Sequence, residues 1–410
     1  MMYDLLRSRA AALTQPAIDL LVELIQTPSL SLQEHQVAGV VERTMRVFGF
    51  DRVVRDDYGN VLGLMLGHES GPTLLAISHL DTVAADFPDS WQRSPHSGTI
   101  DGDRVSGVGA ADCKGGLAAQ IFAAVALKRS LLPLRGNLVV AATVAEENGA
   151  ALGVRALISE TLPQLGLVPQ YAILGEPTDL GVYYGHEGWT TLSILLEGRD
   201  AFQVEDAARA VHEGLELSGA GSAPNNGKEN FSVMAPRLGS GGPRIHSEIR
   251  LTRRLLHGEQ VGNVIAVTRE CAGLRARAAG SVGVEVDLAQ ERQRLGTGQT
   301  RTVSKLTPAW STDPFGPLME RSHHALRAAG CTVRPGQWVL DRLGMGTAGG
   351  VLVNELRIPT VGYGPGCEKA AHARDESVEI GKVTEAIYGT AAIAHGLVGI
   401  PVYGWSSDEI

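Results

Sequence analysis

Residues 137–150 read NLVVAATVAEENGA, seven residues of mostly apolar character followed closely by two adjacent carboxylates, Glu146 and Glu147. The apolar run, rich in valine and alanine, reads as a strand buried on both faces, the pattern of a helix-covered parallel sheet. Two like charges at the end of such a strand are costly through repulsion and desolvation. The neighbouring segments repeat the pattern. TLLAISHLD (73–81) and YAILGEPTD (171–179) are also continuous apolar strands that turn polar at their C-terminal ends, and GGLAAQIFAAVALKRS (115–130) has the composition and length of a helix. The alternation predicts an α/β fold with a largely parallel, helix-covered sheet, an architecture that binds ligands at the carboxyl ends of its strands.

The texture changes at residue 188. In GWTTLSILLEGRD (188–200), Thr191 and Ser193 alternate with Leu192 and Ile194, which predicts a half-exposed antiparallel strand. RIHSEIRLTRRLL (244–256) and GSVGVEVDLAQ (280–290) read the same way, with AFQVEDAARAVHEGLEL (201–217) as a helix before them. A smaller α+β lid domain is therefore expected over residues 188–306. It interrupts a larger domain formed by 1–187 and 307–410, whose second part resumes with the helix FGPLMERSHHALRAAG (315–330) and the buried strand IPTVGYGPG (358–366). SGAGSAPNNGKEN (218–230) and RLGTGQTRT (294–302) read as polar, glycine-rich loops, and residues 1–29 as one amphipathic helix.

Composition bounds the function. At 410 residues, with 44% hydrophobic and 20% charged residues, the chain is globular and long enough for two or three domains. A net charge of -9 argues against a nucleic-acid partner. No stretch approaches the roughly 20 apolar residues that span a bilayer, and no membrane partner is expected. Cys113, Cys271, Cys331 and Cys367 lie far apart without CxxC spacing and read as reduced thiols of a cytoplasmic protein.

Five strand-end or loop segments carry chemistry. His79 and Asp81 stand two apart at a strand end and so share a face, where an aspartate can hold an imidazole in the tautomer that binds metal. GVGAADCKGG (107–116) fails the spacing of a phosphate loop, which leaves Asp112 in a tight turn before a helix; an N-cap is the plain alternative. Cations would reconcile Glu146 with Glu147, and because adjacent side chains diverge, one can be a ligand and the other a free base. Glu176 precedes Pro177 at a third strand end, and His372 follows a Gly-Pro-Gly turn in GYGPGCEKAAHARDE (362–376). Together His79, Asp112, Glu147, Glu176 and His372 offer two imidazoles and three carboxylates without a thiolate. Such a set suits zinc, cobalt or manganese, and a bridging carboxylate suits two ions about 3.5–4 Å apart, with Glu146 left to move protons.

SHLDTV (78–83), GVGAADCKGG, AEENG (145–149), GEPT (175–178) and GYGPGCEKAAHARDE resemble, in order and spacing, the co-catalytic dimetal amidohydrolases. That family includes acetylornithine deacetylase, succinyl-diaminopimelate desuccinylase, aminoacylase and carboxypeptidase G. The resemblance implies that His79 and Glu176 bind one zinc, Glu147 and His372 the other, and that Asp112 bridges them. It further implies that Asp81 orients His79 and that Glu146 is the general base and acid. It also implies a catalytic domain interrupted by a four-stranded lid that often mediates dimerisation, hence a homodimer. The expected reaction is hydrolysis of an amide in an N-acyl amino acid, a related N-acyl amine or a short peptide. A dipeptidase or carbamoyl-amide hydrolase with the same centre is the alternative. A metal-binding homologue without catalysis is a third reading, against which the retention of Glu146 argues, since holding metal does not require it.

The lid departs from the family. Phe202, in EGRDAFQ (197–203), stands where relatives place a histidine that reaches a partner active site, and NFSVMAPRLGSGGPRIHSEIRL (230–251) lacks the usual Asn-rich strand. In GMGTAGGVL (344–352), Thr347, Ala348, Gly349 and Gly350 occupy the place of an Asp and an Arg that helps bind the substrate carboxylate. These departures suggest a substrate without a free α-carboxylate beside the scissile amide, or a larger one bound by other groups. His212, His246 and the Arg253–Arg254 pair are candidates for that task, although each reads as an ordinary surface residue.

Overall fold

Alternate residues of the central strands supply two separate cores, the expected consequence of a sheet covered on both faces. The protein is described by a computed structural model over residues 2–68, 70–85, 88–220, 231–241, 244–339 and 343–400. In chain order the principal strands are β1 (Arg52–Arg55), β2 (Val61–Met65), β3 (Thr73–His79), β4 (Asn137–Thr143), β5 (Pro169–Leu174) and β6 (Val182–Tyr183). They continue with β7 (Gly188–Gly198), β8 (Arg244–Leu255), β9 (Gly283–Leu288), β10 (Pro335–Gly336) and β11 (Thr360–Gly362). Eight of them form one sheet in the order β1-β2-β4-β3-β5-β11-β6-β10. Within it β4, β3, β5 and β11 run parallel to one another, and β2 and β6 flank them in antiparallel fashion.

Leu74 and Ala76 of β3 and Leu138 and Val140 of β4 face the first core, beneath the helices Gly115–Arg129 and Ile380–Val398. Leu75, Ile77, Val139 and Ala141 face the second, against Trp310, Trp338, Val351 and Leu352. Each such valine, leucine or isoleucine side chain, fully buried, contributes about 1.5–3 kcal/mol. The helix Gly115–Arg129 is buried on every side as far as Leu127, which accounts for its apolar composition all round. With the turn before it, Ala110–Arg129 is in fact 20 residues long and apolar enough to meet the requirement for a membrane span, contrary to the sequence expectation, but it is buried inside the fold as far as Leu127.

A second, antiparallel sheet is built on β7, which pairs with β8 on one side and β9 on the other. Its Leu192, Ile194 and Leu196 pack with Ile249 and Leu251 under two helices, Ala201–Ala220 and Val261–Arg277. The second of these helices was not anticipated. On the opposite face Thr191 is buried rather than half-exposed, with its hydroxyl 2.9 Å from that of Thr252 on β8.

Two other expectations change. The N-terminal segment forms two helices, Met2–Ala12 and Thr14–Gln26, and Pro16 falls in the first turn of the second, where a missing amide hydrogen costs nothing. The stretch expected as the loop 294–302 is the turn of a β-hairpin pairing Gln290–Arg294 with Thr300–Ser304. The expected loop at 218–230 begins within the helix Ala201–Ala220, and its remainder, 221–230, lies outside the described residues.

Candidate metal centre

Because β4, β3, β5 and β11 are adjacent and parallel, the residues that leave their C-terminal ends converge. His79 closes β3, Glu146 and Glu147 follow β4, Glu176 follows β5, and His372 lies in the loop after β11. Asp112 enters from the turn ahead of the helix Gly115–Arg129. All five candidate ligands of the sequence reading are thereby brought together, with Glu146 beside them.

Asp112 stands between the two imidazoles. Its Oδ1 is 3.3 Å from His79 Nε2 and its Oδ2 is 3.5 Å from His372 Nε2. Glu176 Oε2 lies 3.8 Å from His79 Nε2, and Glu147 Oε1 lies 3.0 Å from His372 Nε2. The groups His79–Asp112–Glu176 and Asp112–Glu147–His372 each keep their ligand atoms within 4.8 Å of one another. Asp112 does not act as a helix cap; its carboxylate is turned to the histidines. Cys113 Sγ is also close, but it accepts the His79 amide at 3.2 Å and burial pushes its thiol upward, so it remains a neutral thiol.

Asp81 differs from its expected role. His79 Nδ1 donates to the main-chain oxygen of Asp81 at 2.8 Å, whereas the nearer carboxylate oxygen is 3.7 Å away. This bond leaves the Nε2 lone pair facing the cluster. The fully buried carboxylate of Asp81 instead accepts the amides of Glu146 at 3.1 Å and Glu147 at 2.9 Å, and the Ser31 hydroxyl at 2.7 Å. Glu34, also buried, accepts the Ala145 amide at 2.9 Å. Two buried carboxylates thus hold three successive amides, in a turn where Ala145 adopts a φ of 55°. The turn sends Glu147 toward His372 and leaves Glu146 buried beside the cluster without ligating geometry.

The electrostatics call for cations. Burial pushes the carboxyls of Glu146 and Glu176 well above their ordinary range, and neighbouring acids push them the same way against the opposing effect of His79. Burial also disfavours charge on Asp112, yet its hydrogen bond to His79 and the proximity of His372 hold it at about 2. Burial opposes a charge on His372, but Glu147 alongside raises it to about 9. Four carboxyls crowd two imidazoles and can all be ionised together only beside added positive charge, and mixed nitrogen and oxygen donors with one carboxylate facing both histidines fit a pair of divalent ions.

A cleft opens onto the cluster, lined further by Gly149, Trp189, Thr307, Met345 and Gly346 from both domains. Gly149 has a φ of 77°, and a Cβ there would lie 2.1 Å from the Trp189 ring, so the tryptophan closes over a position only glycine can fill. Thr307 Oγ1 donates to the Gly149 carbonyl at 3.2 Å and Lys305 Nζ to that of Asn148 at 2.7 Å, tying the lid's exit strand to the loop after the glutamates.

The small residues at 347–350 also have a packing cause. Trp310 donates to Thr347 Oγ1 at 2.9 Å, and a Cβ on Gly349 would meet its ring at 2.1 Å. Phe202 is exposed on the first turn of its helix. His212 sits on the helix Ala201–Ala220, 3.6 Å from Glu216, and His246 pairs with Glu197 at the far end of β8, so neither reaches the cleft. Arg253 pairs with Glu259 at 2.7 Å on the helix-covered face. Arg254 corrects the surface reading: it is 3% exposed, lies 3.7 Å from Glu187, and stands directly across from Trp189, on the cleft-side face of the lid. Glu34, Glu376 and Trp189 were not anticipated. The only trace of Glu376 was its place four residues after His372.

The sequence profile of peptidase family M20/M25/M40 matches residues 75–396. The uncharacterised protein YgeY of Escherichia coli strain K12 is 28% identical over 391 residues, covering 86% of this chain and 87% of its own length. The fold resembles the dipeptidase Dug1p of Saccharomyces cerevisiae (TM-score 0.69, 14% identity, 97% and 99% of the two chains). It also resembles the Bacillus subtilis YXEP protein, a dinuclear metal-binding peptidase (TM-score 0.67, 18% identity, 94% and 98%).

Proposed function

The chain belongs to peptidase family M20/M25/M40, a family of dinuclear metal-dependent hydrolases of C–N bonds, and on that premise we propose how its own residues divide the work. The observation that carries the reading is Asp112 turned toward an imidazole on each side, with Glu146 beside the cluster but outside both groups of candidate ligands. His79 and Glu176 would hold one ion and Glu147 and His372 the other, with Asp112 shared. Nitrogen and oxygen donors without thiolate favour Zn2+, with Co2+ or Mn2+ as substitutes. Such ions, when bound, polarise a carbonyl and lower the pKa of water. Glu146 takes the proton from the attacking water and delivers it to the leaving nitrogen. Its elevated carboxyl, raised by burial, is better matched to neutral pH than an exposed glutamate would be. Asp81 and Glu34 fix the turn that aims Glu146, and Trp189 and Thr307 cover the cleft against bulk water.

The proposed substrate is an N-acyl amino acid or a short peptide that presents a carboxylate to the lid. Arg254 supports this: its guanidinium is buried on the strand directly across from Trp189, which lines the cleft, with Glu187 at 3.7 Å, and a guanidinium is suited to a bidentate carboxylate. Of the two alternatives raised by the departures at Phe202 and 347–350, this takes the one in which the substrate is bound by other groups. Hydrolysis of N-acyl amino acids and dipeptides, each compared with its carboxamide analogue, tests the proposal. Faster turnover of the carboxylates is expected, and equal turnover of the two series would overturn it. A homodimer through the lid is proposed on Val267 and Leu274, 61% and 62% exposed on the outer helix, and light scattering tests it.

A further inference from the structure

We infer that Glu376 is a positioning residue for the metal centre, whose carboxylate fixes the turn carrying Asp112 and so sets both metal sites at once. The inference rests on the two-metal reading above. Glu376 is 3% exposed, and its oxygens are occupied by main-chain amides. Oε1 accepts those of Ala111 at 2.8 Å and Asp112 at 2.9 Å, and Oε2 accepts that of Gly109 at 3.0 Å. Its own main-chain oxygen accepts the Gly107 amide at 2.8 Å. The turn cannot satisfy these amides internally, since Asp112 and Cys113 depart from helical geometry and Gly109 is left-handed.

The same segment carries His372 four residues earlier, and immediately afterwards Ser377–Glu379 pairs with Arg104–Ser106, the strand that leads into the turn. Glu376 therefore joins the His372 loop to the Asp112 turn by three side-chain bonds and one main-chain bond. Because Asp112 faces both histidines, a shift of its main chain changes the two sites together.

The test is titration of the metal-depleted full chain with Co2+, followed by visible absorption. Wild type is expected to take up two ions. Glu376→Gln, which keeps the shape but turns a donor toward at least one amide, should weaken both sites about ten- to a hundredfold and alter the Co2+ spectrum. Glu376→Asp, too short to span the three amides, should weaken them at least as much. Leu326→Ala, a buried truncation in the helix Pro317–Ala328, should reduce stability and leave Co2+ affinity unchanged. Wild-type affinity and spectrum in both Glu376 variants would overturn the inference, as would an equal loss of affinity in Leu326→Ala. If wild type itself takes up no Co2+, the two-metal reading fails, and the inference with it.

Discussion

Replacing Asp81 by Asn separates two accounts of this residue. Its carboxylate holds the amides of Glu146 and Glu147, at 3.1 and 2.9 Å, while the bond to His79 comes from its main-chain oxygen and survives the substitution. An asparagine can accept one amide but turns its own NH2 toward the other. That replaces a charge-assisted bond, worth roughly 1.5–3 kcal/mol, with a clash of donors. Part of the loss is offset, because a neutral group no longer repels Glu34, whose carboxyl burial and Asp81 together raise to about 7. The net cost is about 1–3 kcal/mol of stability, and a displaced Glu146 costs on the order of a hundredfold in kcat. Denaturant unfolding, steady-state kinetics and metal titration of Asp81→Asn measure all three. The expected signature is selective: the Glu147–His372 ion is held more weakly and the His79–Glu176 ion is retained. Weakened binding of the His79–Glu176 ion with the Glu147–His372 ion retained would refute the reasoning and return the Asp81 carboxylate to the role of orienting His79.

Arg254→Met should raise KM for carboxylate-bearing substrates by about tenfold or more while kcat changes little, read by steady-state kinetics. His395 is buried, and burial lowers it from 6.5 to about 4, so the unfolded chain takes up a proton that the folded one refuses. Its contribution is therefore intact above pH 6.5 and lost as pH falls toward 4, up to roughly 3 kcal/mol; in urea melts His395→Gln should flatten that acid limb. Gly149→Ala places a methyl against Trp189 in a left-handed conformation and should cost on the order of 1–3 kcal/mol, with loss of activity from a disturbed cleft.

What the sequence made legible and what it hid have physical causes. Buried parallel strands announce themselves as unbroken apolar runs, so β3, β4 and β5, and with them the ring of strand-end ligands, could be read directly. Glu34 and Glu376 could not, because a buried acid that caps main-chain amides in a loop has no periodicity to separate it from a solvated one. Alternation placed His79 and Asp81 on one face, but beyond β3 Asp81 offers its carbonyl where the pattern suggested a carboxylate. The residues at 347–350 looked like lost substrate contacts, yet Trp310, distant in sequence, accounts for the need for Gly349. Arg254 looked like surface because β8 was expected to be half-exposed, whereas it is buried on the face it shares with Trp189.

The central claim is that the Glu146–Glu147 pair divides its work, one carboxylate moving a proton and its neighbour holding a cation. Metal content and turnover of Glu146→Gln, measured on the same preparation, test it most directly. The account predicts two bound ions with wild-type affinity and a fall in kcat of at least about a hundredfold, the scale of a lost general base. Turnover close to wild type, or loss of one ion with the proton carrier, would contradict it.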